Sequence, residues 1–546
     1  MKKFLKILAE FYPVHLLVLV FAPIIVGYVI NYELVDSRYI VINLVWLSLF
    51  HIPAALLGNK FIYRLTAVVF FLFGFIEIAH WLILQGPLTT TSILVLSNTN
   101  AQEAVEFMGL KASIGLLLLI PYVFLFIYAL KHAPQYQTSK LKLYTGIVLL
   151  FLSIVFIAES VIHQRFIRKS TPQTVKVILT FIDEIKLYRE VSGDVTPRKL
   201  KVTSSFHCKK QTFVLVIGES CNRNHMSLYG AERPTTPRLQ KRNDILAFTN
   251  VVSPYSSTIN SVLTILSQTN LENKISYKNS IDIFDVFSSA GFKTYWLSNQ
   301  PQVGIWENMI TVFAKKADHR RFFNTASNSS MEAMLSTSYD SKLFAPFAET
   351  LSDKADRKFI VLHIMGSHSA YEKRYPSEFG IFKGANKKER KIAEYDNSVY
   401  YNDFIIDSLL NTLMRYSASN KDNVVSAIYL SDHGENVYDA FDNVGHNYSG
   451  VLPNCNVDIP FIVWMSPLYA ATNPQKVADM SVNLHKPYVS DDLFHSIIDL
   501  NGLQTKCLEN KRSIFNAGFD STRKRILEDG KDYDLVNSAK NRAGRK

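Results

Sequence analysis

Hydropathy divides this chain in two. Up to about residue 160 it is a succession of long apolar runs, and from about residue 210 it reads as an ordinary soluble globular domain. The 48% apolar content of the 546 residues is an average over these unlike parts. Runs near Val14–Ile30, Tyr39–Leu57, Tyr63–Leu84, Ser113–Leu130 and Leu143–Ala158 each approach the ~20 residues a helix needs to cross a bilayer. The start "MKKFLK" has the charge of a signal peptide, but the repeated runs and the lack of a small-residue cleavage site argue against one.

Charge between the runs sets an orientation. Lys2, Lys3, Lys6, Lys60, Arg64, Lys131, Lys140 and Lys142 fall on one side of a five-span topology, and only Arg38 and Lys111 on the other. The positive-inside rule places the N-terminus in the cytoplasm and everything after about residue 160 outside. The expected organisation is a five-helix transmembrane domain (1–160), a bridging segment (161–209), an exported globular domain (210–525) and a polar, solvated tail (526–546). In the bridging segment, "TVKVILTFIDEIKLY" places Val175, Ile178, Leu179 and Ile182 on one helix face, suited to a membrane surface or to ordinary packing. The net charge of +12 includes the cytoplasmic anchors, and no basic stripe with interleaved aromatics is present, so nucleic acid is not an expected partner. A positive exported domain suits anionic lipid or glycolipid surfaces. Cys208, Cys221, Cys455 and Cys507 would face an oxidising compartment; a Cys455–Cys507 bridge is one option, and Cys221 reads as a small buried residue.

From Thr212 the pattern alternates strand and helix. "FVLVI", "FKTYWLS", "KFIVLHIM", "VVSAIYLS" and "IPFIVWM" are continuously apolar, as strands buried on both faces are. Between them, "EYDNSVYYNDFIIDSLLNTLM" carries Val399, Ile406, Leu409, Leu410 and Leu413 on one helical face. The expectation is an α/β domain with a mostly parallel sheet covered by helices on both faces.

Several of these strands end on groups with chemistry. "FVLVIGES" ends on Glu219, "IYLSDHGE" on Asp432 and His433, and "VLHIMGSH" leads to His368; "NVGHNY" carries His446, and "SPYSSTINS" puts Thr258 at a helix start. The carboxyl ends of parallel strands are where α/β folds place ligands. Each residue has an ordinary alternative, such as a cap, a packed histidine or a turn residue, but their recurrence is most simply a metal site. Glu219, Asp432 and His433 offer oxygen and nitrogen ligands of the kind zinc takes, with a threonine oxygen as a fourth. Metal contact would lower the Thr258 hydroxyl pKa and make it a nucleophile, with His368 and His446 moving protons or binding a second metal.

"VIGES", "HMSLYG", "RPTTPRL" and "SDHGE" together resemble the phosphoethanolamine transferases of Gram-negative envelopes, members of the alkaline phosphatase/sulfatase superfamily. The family includes the lipid A-modifying enzymes behind polymyxin resistance, and the five apolar runs ahead of one exported domain match it. The resemblance implies an inner-membrane enzyme in which Glu219, Thr258, Asp432 and His433 bind zinc, with a second metal conceivable. It implies that Thr258 carries a covalent phosphoethanolamine, that His368 and His446 are further active-site histidines, and that Thr99 and Glu103 in "SNTNAQEA" bind the donor. The implied donor is phosphatidylethanolamine and the implied acceptor lipopolysaccharide, on inner-core heptose or lipid A. The nucleophile region has none of the flanking cysteines common in lipid A enzymes, and "TYWLSNQPQVGIWENMITVF" looks closer to the heptose-modifying branch. Rival readings are a sulfatase- or phosphatase-type hydrolase, whose Cys/Ser-x-Pro-x-Arg signature "SPYSSTIN" lacks, a glycerol-phosphate transferase, and an inactive envelope scaffold.

Overall fold

The structure is a computed structural model and describes residues 13–32, 35, 37–84, 86–88, 117, 119–133, 138–162, 171–192, 195–206, 208–300, 309–324, 337–446 and 452–537. The chain forms two compact units, Met1–Lys186 and Leu187–Lys546.

In the first unit, helices Val14–Asn31, Arg38–Leu57, Lys60–Leu84, Leu119–Lys131 and Lys140–Ile162 occupy the places of the five apolar runs. Among the described residues, Arg38–Leu57 and Lys60–Leu82 are long and apolar enough to cross a membrane by length and composition, while Val14–Ile30 and Leu119–Lys131 are shorter apolar helices. Apolar side chains lie both inside and outside this bundle. Leu16, Leu47, Tyr63 and Ala67 are buried in its core, whereas Val29 (81% exposed), Phe61 (72%) and Leu141 (77%) point outward. Helices hydrophobic all round are at home in lipid rather than water. Glu77, within Lys60–Leu84, accepts hydrogen bonds from the Thr174 backbone N–H (3.0 Å) and hydroxyl (2.6 Å). It thereby satisfies a free donor in the first turn of helix Gln173–Ser192, where a carboxylate also complements the helix dipole. The face of that helix differs in detail from the sequence expectation: Val177 is buried, while Ile182 is 40% exposed.

The second unit is built on a seven-stranded sheet. Its strands are β1 (Lys210–Gly218), β2 (Ile245–Phe248), β3 (Lys293–Ser298), β4 (His319–Phe322), β5 (Arg357–His363), β6 (Asn423–Ser431) and β7 (Phe461–Met465), in the order β2-β7-β6-β1-β5-β3-β4. All five apolar runs singled out in the sequence are strands. Alternate residues of β1 feed opposite cores: Phe213, Leu215 and Ile217 join one cluster, Val214 and Val216 the other. This period of two, with both faces covered, is why the strand reads as an unbroken apolar run. Helix Lys387–Ser419 covers the second face, with Val399, Ile406, Leu409, Leu410 and Leu413 all buried as its periodicity predicts.

The sheet is mostly parallel, as expected, and is made mixed by one reversed strand. β6, β1, β5, β3 and β4 run parallel, but β7 pairs antiparallel with both β6 and β2. Among the described residues between β6 and β7 no α-helix intervenes, only a short hairpin and a 3₁₀ turn, so the chain lacks the crossover that a parallel return requires. All four cysteine thiols are free, so no Cys455–Cys507 bridge forms. Cys221 is fully buried, as a small apolar residue would be. The C-terminal segment is not a solvated tail as far as residue 537. Arg525, Leu527 and Tyr533 are buried, Arg525 pairs with Asp534, and the Tyr533 hydroxyl donates to Asp458 at 2.6 Å.

A charged cluster around the buried Asp396 joins the loop after β1 to the long helix. His225 contacts Asp396 through Nδ1 (2.7 Å) and Asp439 through Nε2 (3.0 Å), and Arg233 donates to Asp396 at 2.6 Å. Burial pushes the imidazole down, but the two carboxylates outweigh it and lift it from 6.5 to about 9. A raised imidazole stabilises the fold fully below pH 6.5, and that contribution is lost as pH rises through about 9. Denaturant unfolding between pH 6 and 10 is therefore expected to show a loss of up to about 3 kcal/mol that His225→Gln removes; identical pH profiles for the two proteins would contradict it.

Candidate active site

Strand register brings the chemistry together. Gly218 and Ser431 are partners at the carboxyl ends of β1 and β6, so the residues that follow, Glu219 and Asp432, leave the sheet side by side. Both are almost fully buried, as is His433. Thr258 arrives from elsewhere, as the first residue of helix Thr258–Leu266. Its Oγ1 lies 3.1 and 3.3 Å from the two Glu219 oxygens and 3.2 Å from His433 Nε2. His433 Nε2 is in turn 3.4 Å from Glu219 and 3.3 Å from Asp432 Oδ2.

Local backbone geometry makes this convergence feasible. Ser220 adopts a left-handed conformation (φ 54°), a conformation that costs about 1–2 kcal/mol for a non-glycine residue. It is held there by its N–H to Asp432 Oδ1 (3.1 Å), its hydroxyl to Glu219 Oε1 (2.8 Å) and the Tyr395 hydroxyl on its carbonyl (2.7 Å). Gly366, in the "GSH" that follows β5, also has a left-handed φ (56°), and a Cβ there would stand 2.7 Å from the Glu219 carbonyl oxygen. Only glycine lets this loop lie against the Glu219 backbone, where Ser367 N–H donates to Glu219 O at 2.9 Å.

The electrostatics call for a cation. Burial raises Asp432, and the neighbouring Glu219 charge holds it up at about 7. Burial acts on Glu219 too, but His433 and His368 outweigh it and keep that carboxyl well below the usual range. Burial lowers His433, yet Asp432 and Glu219 lift it to about 10. Asp432 Oδ1 is satisfied by the backbone N–H groups of Ser220 and His433, whereas its buried Oδ2 has no hydrogen-bond partner. A buried acid oxygen without a donor is costly unless something positive meets it. His433 Nδ1 faces the Gly434 carbonyl at 2.8 Å, which holds one proton there and turns Nε2 towards the cluster, where a bound cation would displace the second proton that the two carboxylates otherwise keep on the ring. Ligand atoms of Glu219, Asp432 and His433 all lie within 4.8 Å of one another, so the donor set fits a zinc-type ion.

A second group adjoins it. His446 Nδ1 meets Glu435 Oε2 at 2.5 Å, Tyr371 donates to Glu435 Oε1 at 2.6 Å, and the His446 ring centroid is 4.3 Å from that of His433. His433, Glu435 and His446 form another set with ligand atoms within 4.8 Å. His368 is half-buried, with Nδ1 3.2 Å from the Ser369 hydroxyl; its enclosure lowers its pKa against the pull of Glu219. Thr99 and Glu103 lie outside the described residues.

Sequence reasoning did not single out Gln300, Glu435, Tyr371 or Ser220. Gln300 Nε2 lies 3.4 Å from Glu219 Oε2 and 3.2 Å from the Ile364 carbonyl. An amide carries no titration or ligand signature, and its place just past the end of β3 was the one available clue. Glu435 sits in "SDHGE", two residues beyond His433, and the same spacing that marks a ligand pair marked it.

The family profile described as Sulfatase matches residues 211–503. The phosphoethanolamine transferase EptC of Escherichia coli (strain K12) is 32% identical over 345 residues, covering 60% of this chain and 58% of the relative. The chain thus spans less than two thirds of that relative's length. The phosphoethanolamine transferase CptA of Salmonella typhimurium is 27% identical over 531 residues, 90% of each. Among solved structures, the C-terminal periplasmic domain of E. coli EptC in complex with Zn matches at 31% identity and a TM-score of 0.56, covering 62% of this chain and 97% of that one. The integral membrane lipooligosaccharide phosphoethanolamine transferase A (EptA) from Neisseria meningitidis shares the fold at 18% identity and a TM-score of 0.65, over 92% of this chain and 97% of its own. With the profile covering more than half the chain, and the site at the strand ends where its acid and histidine residues converge, the protein belongs to the sulfatase family.

Proposed function

We propose that the chain is a zinc-dependent phosphoethanolamine transferase of a bacterial inner membrane, moving the group from phosphatidylethanolamine to lipopolysaccharide through phospho-Thr258. The observation that carries this reading is the Thr258 hydroxyl, 3.1 Å from Glu219 and 3.2 Å from His433 Nε2. Likeness to named phosphoethanolamine transferases over 90% of the chain supports the substrate class, and the zinc-bound EptC domain supports the metal. Glu219, Thr258, Asp432 and His433 would hold the ion, with Glu435 and His446 available beside His433 for a second. When bound, zinc supplies positive charge that lowers the hydroxyl pKa and offsets charge on the phosphoryl oxygens.

In the first half-reaction, Thr258 Oγ1 bonds to the donor phosphorus, the phosphorus–glycerol oxygen bond breaks, and diacylglycerol leaves with a proton. Helix Thr258–Leu266 presents Oγ1 at its N-terminus, where backbone N–H groups face an incoming phosphate. Glu435 pins His446 Nδ1, so Nε2 is the atom free to carry the proton to the leaving oxygen. In the second half-reaction, an acceptor oxygen bonds to the same phosphorus and Thr258 Oγ1 leaves and is reprotonated. His368, whose charge acts on Glu219, is a second proton carrier, and the family resemblance assigns donor binding to Thr99 and Glu103. The apolar helices span the membrane in five passes with a cytoplasmic N-terminus. Keeping enzyme and both lipid substrates in one bilayer raises their effective concentration.

Labelled phosphatidylethanolamine tests the nucleophile. Thr258→Ala is expected to lose at least ~10³-fold in transfer and to yield no phosphoethanolamine-bearing peptide, while Thr258→Ser keeps measurable activity. Undiminished acceptor labelling by Thr258→Ala would remove the assignment, and release of free phosphoethanolamine with no modified acceptor would make the enzyme a hydrolase. Mass spectrometry of lipopolysaccharide from cells with and without the gene would place the group on core heptose or lipid A. Stripping with a chelator is expected to abolish transfer and added zinc to restore it; full activity of metal-free protein would rule out the ion's role.

A further inference from the structure

The Thr258 hydroxyl is only as well aimed as the loop that delivers it. Because Thr258 opens its helix, its place is set by Ser253–Ser257. That run has modest local support. Ser257 stands at the N-cap, but its side chain makes no capping bond to the helix backbone. Ser253 and Ser261 share a hydroxyl contact at 3.1 Å, and the Ser261 hydroxyl reaches the Tyr255 carbonyl at 3.4 Å.

Tighter ties come from far along the chain, from the segment the sequence presents as a polar tail. Glu528 Oε1 accepts both the backbone N–H (3.0 Å) and the hydroxyl (2.7 Å) of Ser256, which is 5% exposed. The backbone N–H of Glu528 donates to the Pro254 carbonyl at 2.9 Å. One residue thus grips the loop on both sides of Tyr255, just ahead of Thr258. Glu528 is itself anchored. Leu527 is buried with Val252, Val457, Val489 and Tyr533, and Arg525 donates to the Asn250 side chain at 2.8 Å.

We propose that Glu528 is a positioning residue for Thr258. It touches none of the groups around the hydroxyl and acts through Ser256, keeping Oγ1 within reach of Glu219 and His433. This rests on the reading of Thr258 as nucleophile. The geometry also says what Glu528 must supply. Both Ser256 bonds end on one oxygen, so a neutral amide oxygen in that place accepts both, and the negative charge is dispensable.

The test uses the full chain in vesicles containing phosphatidylethanolamine, with turnover and amide hydrogen exchange measured on the wild type, Glu528→Ala and Glu528→Gln. Glu528→Ala is expected to lower the rate at saturating donor by ~10- to 100-fold, with KM and the unfolding midpoint at wild-type values. Glu528→Gln is expected to stay within about threefold of wild type. Exchange across Tyr255–Ser257 is expected to quicken in Glu528→Ala alone. Wild-type turnover by Glu528→Ala, or a Glu528→Gln as slow as Glu528→Ala, would overturn the proposal. If Glu528→Ala fails to fold, Ser256→Ala, which removes one of the two bonds to Glu528, is expected to lose part of the rate at an unchanged midpoint, and wild-type turnover by it would overturn the proposal. If the wild type transfers nothing, the functional reading fails, while the exchange comparison still decides whether Glu528 holds the loop.

Discussion

Two carboxylates that cannot reach water stand next to each other at the heart of this protein. Glu219 and Asp432 are placed there by the pairing of Gly218 with Ser431, and neither can move without shifting a sheet that is apolar on both faces. At an effective dielectric near 20, like charges a few ångströms apart repel by about 4 kcal/mol, before any desolvation cost. His433 offsets part of this, but Asp432 Oδ2 is left with no hydrogen-bond donor. Native proteins keep such an arrangement where a cation or a reaction uses it. The left-handed Ser220 and the glycine at 366 are the backbone concessions that let the two acids and their neighbours close up.

Rigidity and reactivity are divided between layers. The sheet supplies a platform whose residues are fixed by packing, while the hydroxyl of Thr258, the proposed nucleophile, sits on a helix end delivered by a loop. No disulfide supports that loop among the described residues, and the thiols of Cys221 and Cys455 are pushed by burial up to about 12, where they are inert. Hydrogen bonds do the holding instead. A bond network can be satisfied fully in one geometry and poorly in its neighbours, so it aims a group as well as a covalent tie does.

Much of this was legible in the sequence, for physical reasons. Strands buried on both faces advertise themselves as unbroken apolar runs, and all five such runs are strands. A charged residue directly after such a run breaks the pattern, which exposed Glu219, Asp432 and His433 to view. Features that depend on pairing partners were not legible. The direction of β7 leaves no mark in "IPFIVWM", because a strand covered on both faces has the same composition either way. The edge strands β2 and β4 are short and half-exposed, so their pattern is diluted. The segment around Glu528 reads as polar because two of its buried residues are Arg525 and Tyr533, which reach the distant Asn250 and Asp458. Gln300 and Tyr371 matter through what they touch, which composition does not record.

A metal ion shared by Glu219, Asp432, His433 and Thr258 would meet this crowding of charge, as proposed above. Anomalous diffraction from crystals of the protein, collected on either side of the zinc absorption edge, tests it most directly. An edge-dependent peak is expected about 2 Å from His433 Nε2 and from oxygens of Glu219, Asp432 and Thr258. A zinc-replete crystal with no peak there, and with Asp432 Oδ2 bonded instead to an ordered water or a protonated neighbour, would contradict it.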